Sequence, residues 1–170
     1  MTTEYIFDIN KYIGTWYELA HYPSWFQRND NYNTTAEYTI MKENVIQVHN
    51  STITNGKTIN SFGIGRYLGG NKFRVDFPHD EANKLIESGE FVKFQQNLDC
   101  NQPNYIVEKL WLNCYGQYVF AVVTDPSRQS FYLLSRYRHP SLIAYTQVME
   151  YVIANFDRDR LVQSPYFNSV

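Results

Sequence analysis

The sequence predicts an all-β protein: an eight-stranded antiparallel up-and-down barrel with one C-terminal α-helix packed outside. Three observations predict it. Apolar and polar residues alternate with period 2 along most of the chain, and turn residues punctuate the alternation. A single stretch, after Pro140, changes to helical period. Aromatic residues make up 17% of the 170 residues, with 15 Tyr, 11 Phe and 3 Trp, types that favour pleated, half-buried surfaces. At this length one domain is expected over 1–170, with a core of about 8–163 and an ordered insertion at 78–104.

The first strand is expected over Thr15–Tyr22, followed by a loop, Pro23–Asn33, that contains Trp25 and Phe26. The second strand, Thr35–Ile40, puts Ala36, Tyr38 and Ile40 on one face. The third, Val45–Thr54, runs into Asn55-Gly56, a strong hairpin turn signal. The fourth spans Thr58–Leu68. The fifth alternates Phe73, Val75 and Phe77 with Arg74 and Asp76. Between 78 and 104 the rhythm breaks: Asp80–Ser88 reads as a short helix stopped by Gly89, and Glu90–Gln95 as a further strand. Alternation resumes over Tyr105–Tyr115, Tyr118–Thr124 and Ser130–Arg136. Leu142, Tyr145, Met149, Val152 and Phe156 then share one helical face, with Pro140 suited to the first turn. A short strand, Arg160–Gln163, closes the series. Eight strands on short turns avoid exposed sheet edges by closing on themselves, and such a barrel has room for one small ligand or for a solid core.

Composition excludes several classes. A net charge of −2 gives no electrostatic footprint for nucleic acid. No apolar run reaches the ~18 residues of a transmembrane helix. The first residues show neither a basic segment nor an apolar one, so no signal peptide is expected and the default address is the cytoplasm; secretion or packaging in a particle remain alternatives. Cys100 and Cys114 read as free thiols ahead of one bridge. His21, His49, His79 and His139 lack metal-ligand spacing, and Gly63-x-Gly65 opens no helix, so neither a metal, a cofactor nor a nucleotide is expected.

Three segments carry a resemblance: Gly14-Thr15-Trp16-Tyr17-Glu18; Asn113-Cys114-Tyr115-Gly116-Gln117-Tyr118; and Leu133-Leu134-Ser135-Arg136 just before the helix. In this order they resemble the motifs of the lipocalin family, in the form seen in bacterial lipocalins and apolipoprotein D. The second keeps both tyrosines, while Asn113 and Cys114 stand where the family has Thr and Asp. The resemblance implies structural roles for Gly14, Trp16, Tyr115, Tyr118 and Arg136, with Arg136 stacked on Trp16 at the closed end of the barrel. A planar guanidinium on a large ring is a favourable cation–π pair.

Alternation and the resemblance together place Ala36, Tyr38, Val48, Phe73, Val75, Phe77, Leu110, Ala121, Val123, Tyr132 and Leu134 on the cavity wall, and Trp25, Phe26, Phe91 and Phe94 at its mouth. The expected function is binding, transport or storage of a small hydrophobic ligand of the fatty-acid or lysophospholipid class, without catalysis, by a monomer or homodimer capable of peripheral membrane contact. The alternative is a protein-interaction module that uses the barrel as scaffold and the 78–104 insertion as interface; the insertion is otherwise a lid over the mouth.

Overall fold

A computed structural model describes residues 6–23, 31–77 and 100–164. A one-turn helix, α1 (Ile9–Tyr12), precedes the strands β1 (Gly14–His21), β2 (Tyr32–Lys42), β3 (Val45–Thr54), β4 (Lys57–Tyr67), β5 (Lys72–Asp76), β6 (Tyr105–Leu112), β7 (Tyr118–Thr124) and β8 (Phe131–Ser135). Helix α2 (Leu142–Asn155), a 3-10 turn (Arg158–Arg160) and the two-residue strand β9 (Val162–Gln163) complete the described chain. The strands pair antiparallel in sequence order from β2 to β8, and β1 closes the cylinder by pairing with both β8 and β2. The predicted barrel is therefore formed. β1 pairs with β2 only over Gly14–Tyr17; further up it leaves β2 and pairs with β9 at Ala20 and His21.

The interior and exterior of the wall build two separate cores. Inside, Tyr12, Trp16, Tyr38, Ile46, Val48, Phe73 and Val107 cluster at one end of the barrel. Outside, Leu19, Ala20, Val122, Phe131 and Leu133 pack beneath Val148, Met149 and Val152 of α2. β7 lies between the two, so all seven of its residues are buried. This explains its near-continuous apolar run, Tyr118–Val123, where a strand buried on one face would alternate.

Several sequence expectations are corrected. β2 is longer than expected and starts at Tyr32, inside the predicted loop. Ile40 is exposed although it shares parity with Ala36 and Tyr38. Tyr38 pairs with Gly14, the first residue of β1, so Ile40 lies beyond the barrel floor and has no interior to face. On α2 the buried residues are Val148, Met149 and Val152, while Leu142 is 77% exposed; in the first turn Ala144 and Tyr145 pack against the outer cluster and Leu142, the first helical residue, does not. Ser141 caps this helix by accepting a hydrogen bond from the Ala144 amide. β6 ends at Leu112 and not at Tyr115, which stands exposed at a turn tip. The helix α1 has no counterpart in the periodicity reading; Asp8 caps it by accepting from the Asn10 amide. The expected helix at Asp80–Ser88 and strand at Glu90–Gln95 lie outside the described residues. Both Cys100 and Cys114 are free thiols.

Gly63 and Gly65 of β4 have a packing role. A Cβ on Gly65 would lie 2.7 Å from Cγ1 of Ile46, and one on Gly63 would lie 2.9 Å from the Phe77 ring. The missing side chains make room for these two apolar groups within the barrel.

The strands β5 and β6 share only two paired positions, Lys72 with Ile106 and Phe73 with Tyr105. Beyond them a side chain replaces the ladder. Asn104 Nδ2 donates to the Val75 carbonyl and its Oδ1 accepts from the Val75 amide, both at 2.7 Å. Arg66 donates to the Cys100 carbonyl and, at 2.9 Å, to Asn101 Oδ1, which ties the returning chain to β4.

Candidate functional site

The closed end is built from the sequence motifs. Gly14 has φ +99°, a region that favours glycine, and a Cβ there would lie 3.2 Å from Arg136 Nη1. The backbone can therefore pass close under the guanidinium. Arg136 lies over the Trp16 ring, 3.9 Å from its centroid. Its Nη1 donates to the Thr15 carbonyl at 2.8 Å, and Nη2 donates to the carbonyls of Lys11, Tyr12 and Ile13 at 3.1, 3.0 and 2.7 Å. A cation thus caps the C-terminal carbonyls of α1, where the helix dipole favours it. Trp16 Nε1 donates to the Tyr12 carbonyl at 2.8 Å, which gives this fully buried indole its partner.

In the β6–β7 turn, Asn113 does the capping. Its Oδ1 accepts from the amides of Tyr115 and Gln117, both at 3.0 Å, and its Nδ2 donates to Gln117 Oε1 at 2.8 Å. Asn supplies the acceptor that an Asx-type turn needs, so replacement of Thr and Asp leaves the turn satisfied. Tyr118 is buried, and its hydroxyl accepts from the Asp8 amide at 3.0 Å, which fastens the N-terminal segment to the floor.

Above this floor lies a cavity of about 460 Å³, within the usual size range for small-ligand sites. Eight of the eleven residues expected on its wall line it: Ala36, Tyr38, Val48, Val75, Phe77, Val123, Tyr132 and Leu134. Phe77 does so from just beyond the end of β5, half exposed. Phe73, Leu110 and Ala121 do not. Phe73 and Ala121 belong to the inner core, and Leu110 packs against it. Phe73 is enclosed by Phe7, Tyr12, Tyr67 and Tyr105, an aromatic plug that fills the bottom of the barrel. Trp25, Phe26, Phe91 and Phe94, expected at the mouth, lie outside the described residues.

The polar part of the wall is larger than expected. Asn31, Thr34, Asn50, Thr52, Ser61, Asn104 and Ser130 line it, together with Tyr105 and Glu18. At its base the hydroxyls of Tyr12, Tyr38 and Tyr105 meet: Tyr105 is hydrogen-bonded to Tyr12, and to Tyr38 at 2.8 Å. Burial pushes all three phenols up, Tyr38 to about 12, so they stay protonated at neutral pH. Tyr132 is also raised, by burial first and then by the charge of Glu18.

Glu18 is 4% exposed and faces inward, paired in register with Leu134. Its Oε2 is 3.6 Å from Nδ1 of His21, whose imidazole burial holds below its ordinary pKa. Alternation carried a signal for Glu18, because it stands two residues from the inward Trp16 on the same strand. Its inward direction was obscured because a charged residue on a barrel interior is the less common arrangement. His49 points outward, stacked on Phe62 with ring centroids 4.4 Å apart.

Among the described residues no group of three or more His, Cys, Asp or Glu side chains is placed to hold a metal ion. None of the described helices is long and apolar enough to cross a membrane.

A closed antiparallel barrel with a tryptophan–arginine floor, an interior cavity and one helix against the outer wall defines a small-ligand-binding class of β-barrel. The family model of the lipocalin-like domain matches residues 7–165, and the chain belongs to that family. It is 28% identical over 159 residues to temperature-induced lipocalin-1 of Arabidopsis thaliana, covering 93% of this chain and 78% of that one. It is likewise 28% identical over 158 residues to a putative lipocalin of Acanthamoeba polyphaga mimivirus, covering 92% and 83%. Among solved structures, the cockroach allergen Per a 4 aligns with a TM-score of 0.60 at 20% identity, covering 93% of this chain and 87% of that chain. Lobster apocrustacyanin A1 aligns with a TM-score of 0.57 at 15% identity, covering 91% and 77%. These last two likenesses concern the fold. The lipocalin fold is known for binding small hydrophobic ligands.

Proposed function

We propose that the chain binds and carries a small hydrophobic ligand in its barrel cavity, of the fatty-acid or lysophospholipid class. The observation that carries this reading is the cavity of about 460 Å³ with apolar walls from Ala36, Val48, Val75, Val123 and Leu134, above a floor sealed by Trp16 and the tyrosine cluster. Burial of an aliphatic chain against such walls supplies about 25 cal/mol per Å² of apolar surface. The Asn50 amide offers a donor and an acceptor to the ligand's polar group, while the hydroxyls of Thr34, Thr52 and Ser130 are hydrogen-bonded within the protein and present their oxygens as acceptors. We read the chain as a carrier and not as an enzyme.

Native mass spectrometry of freshly purified protein, followed by organic extraction, tests this. The expected result is a bound mass that extracts as an amphiphilic lipid, and displacement of a fluorescent fatty-acid probe by that lipid. A protein that carries no adduct and binds neither probe nor lipid would overturn the reading.

A further inference from the structure

We propose that the closed end of the barrel is a docking face for an anionic lipid bilayer, so that the protein rests on a membrane with its cavity mouth turned away. This goes beyond the carrier reading and does not depend on it.

The topology gathers the face. In an up-and-down barrel every second connection lies at the same end. Gly14 at the floor starts β1, so the β2–β3, β4–β5 and β6–β7 turns and the β8–α2 connection all lie at the closed end, beside α1. Ile40, Met41, Tyr115, Tyr137, Leu142 and Ile143 are exposed there. They come from three separate stretches of chain: the end of β2, the β6–β7 turn, and the approach to α2 with its first turn. An exposed apolar side chain standing alone needs no explanation, but several brought to one end mark an interaction surface. None of the six belongs to the inner or the outer core.

Charge selects the occupant. The same end carries Lys11, Lys42, Lys72, Arg136 and Arg138 against the acids Asp8 and Glu43, although the whole chain has a net charge of −2. Lys11, Lys42, Lys72 and Arg138 are exposed. A second copy presenting this face would meet a like charge. An anionic bilayer meets the opposite one, and each cation near its surface is worth about fivefold in binding. Tyr115 and Tyr137 are of the type that settles at headgroup level, while the aliphatic tips Met41, Leu142 and Ile143 are suited to the acyl boundary beneath it. The cavity is lined from the other half of the barrel, by Thr34, Thr52 and Phe77 among others, so docking by the floor leaves its mouth towards solvent.

The test is co-sedimentation of the full chain with vesicles of phosphatidylcholine alone and of phosphatidylcholine with about 30% phosphatidylserine. Wild type is expected to bind the anionic vesicles at least about tenfold more tightly than the neutral ones, and to lose most of that advantage at high salt. Leu142→Ser combined with Ile143→Ser lowers binding to anionic vesicles by about tenfold. Lys42→Glu combined with Lys72→Glu lowers it by at least about twentyfold. Ile153→Ser, near the far end of α2, leaves it within about twofold. Equal binding of wild type to the two vesicle types overturns the inference, as does no binding to either. Binding that survives both double variants but is lost in Ile59→Ser, at the mouth, also overturns it. So does a dimer in solution that Leu142→Ser with Ile143→Ser dissociates, because the face then belongs to a second copy. Should one double variant not fold, the other and the wild-type comparison of vesicles decide.

Discussion

The floor of the barrel depends on one side chain, and its removal has a calculable cost. Arg136→Ala deletes the group that donates to the carbonyls of Lys11, Tyr12, Ile13 and Thr15 and that covers the Trp16 ring. The four contacts share one half-buried head and are not additive. Taken as a unit they resemble a charged hydrogen bond, about 2–3 kcal/mol. The cation–π contact adds about 1–2 kcal/mol. The expected loss is therefore about 3–5 kcal/mol, which lowers a urea midpoint by about 1–2.5 M at an m-value of ~2–3 kcal/mol/M. Arg136→Lys keeps the charge but lacks the planar fork that reaches several carbonyls, so more than half of the loss remains. Urea unfolding followed by far-ultraviolet circular dichroism measures both variants. A loss under about 1 kcal/mol in Arg136→Ala, or full rescue by lysine, would refute the view of Arg136 as the clasp of the floor.

Two further predictions follow from the outer wall and its turns. Val152 is fully buried on the inner face of α2 whereas Ile143, on the same helix, is 75% exposed, so Val152→Ala costs about 2 kcal/mol while Ile143→Ser changes stability by less than about 0.5 kcal/mol; equal costs in thermal melts would show that α2 packs by another face. Burial pushes the Asp125 carboxyl up, but hydrogen bonds from the amides and hydroxyls of Ser127 and Ser130 outweigh it and lower the pKa to about 2. The stability this group contributes is present above the unfolded carboxyl pKa of about 3.9 and is lost as pH falls through the folded value. The melting-temperature gap between wild type and Asp125→Asn should therefore narrow from pH 5 towards pH 2, and a constant gap counts against the turn's role.

The wall of the barrel was legible because alternation and closure obey the same period: Ala36, Tyr38, Val48, Val75, Val123 and Leu134 all face inward as their parity demands. What alternation does not carry is depth. Phe73, Ala121 and Leu110 have the right parity but lie in or against the packed core, because Phe7 and Tyr12 come from outside the strands to fill that level. The plug arises from a segment too short for any period to register. Ile40 fails for a related reason, since a strand's pattern continues past the point where its partner begins. Leu142 shows the same for the helix, whose apolar stripe outruns the surface it covers. Glu18 was hidden for a chemical reason: its parity was correct, but a charge is expected on the outside until the cavity that accepts it is seen.

The seam between β5 and β6 bears on how this barrel tolerates change. The wall there is completed by the amide of Asn104 bonded to both backbone groups of Val75, and the chain returning at Cys100 and Asn101 is tied to Arg66. The described chain thus leaves the cylinder after Phe77 and rejoins it at Cys100, and both points lie next to these contacts. Closing a loop between fixed ends costs only ~0.6 kcal/mol more for each doubling of its length. If the contacts of Asn104 with Val75 and of Arg66 with Cys100 and Asn101 are kept, a change in chain length between Phe77 and Cys100 is therefore expected to leave the register of the paired strands intact.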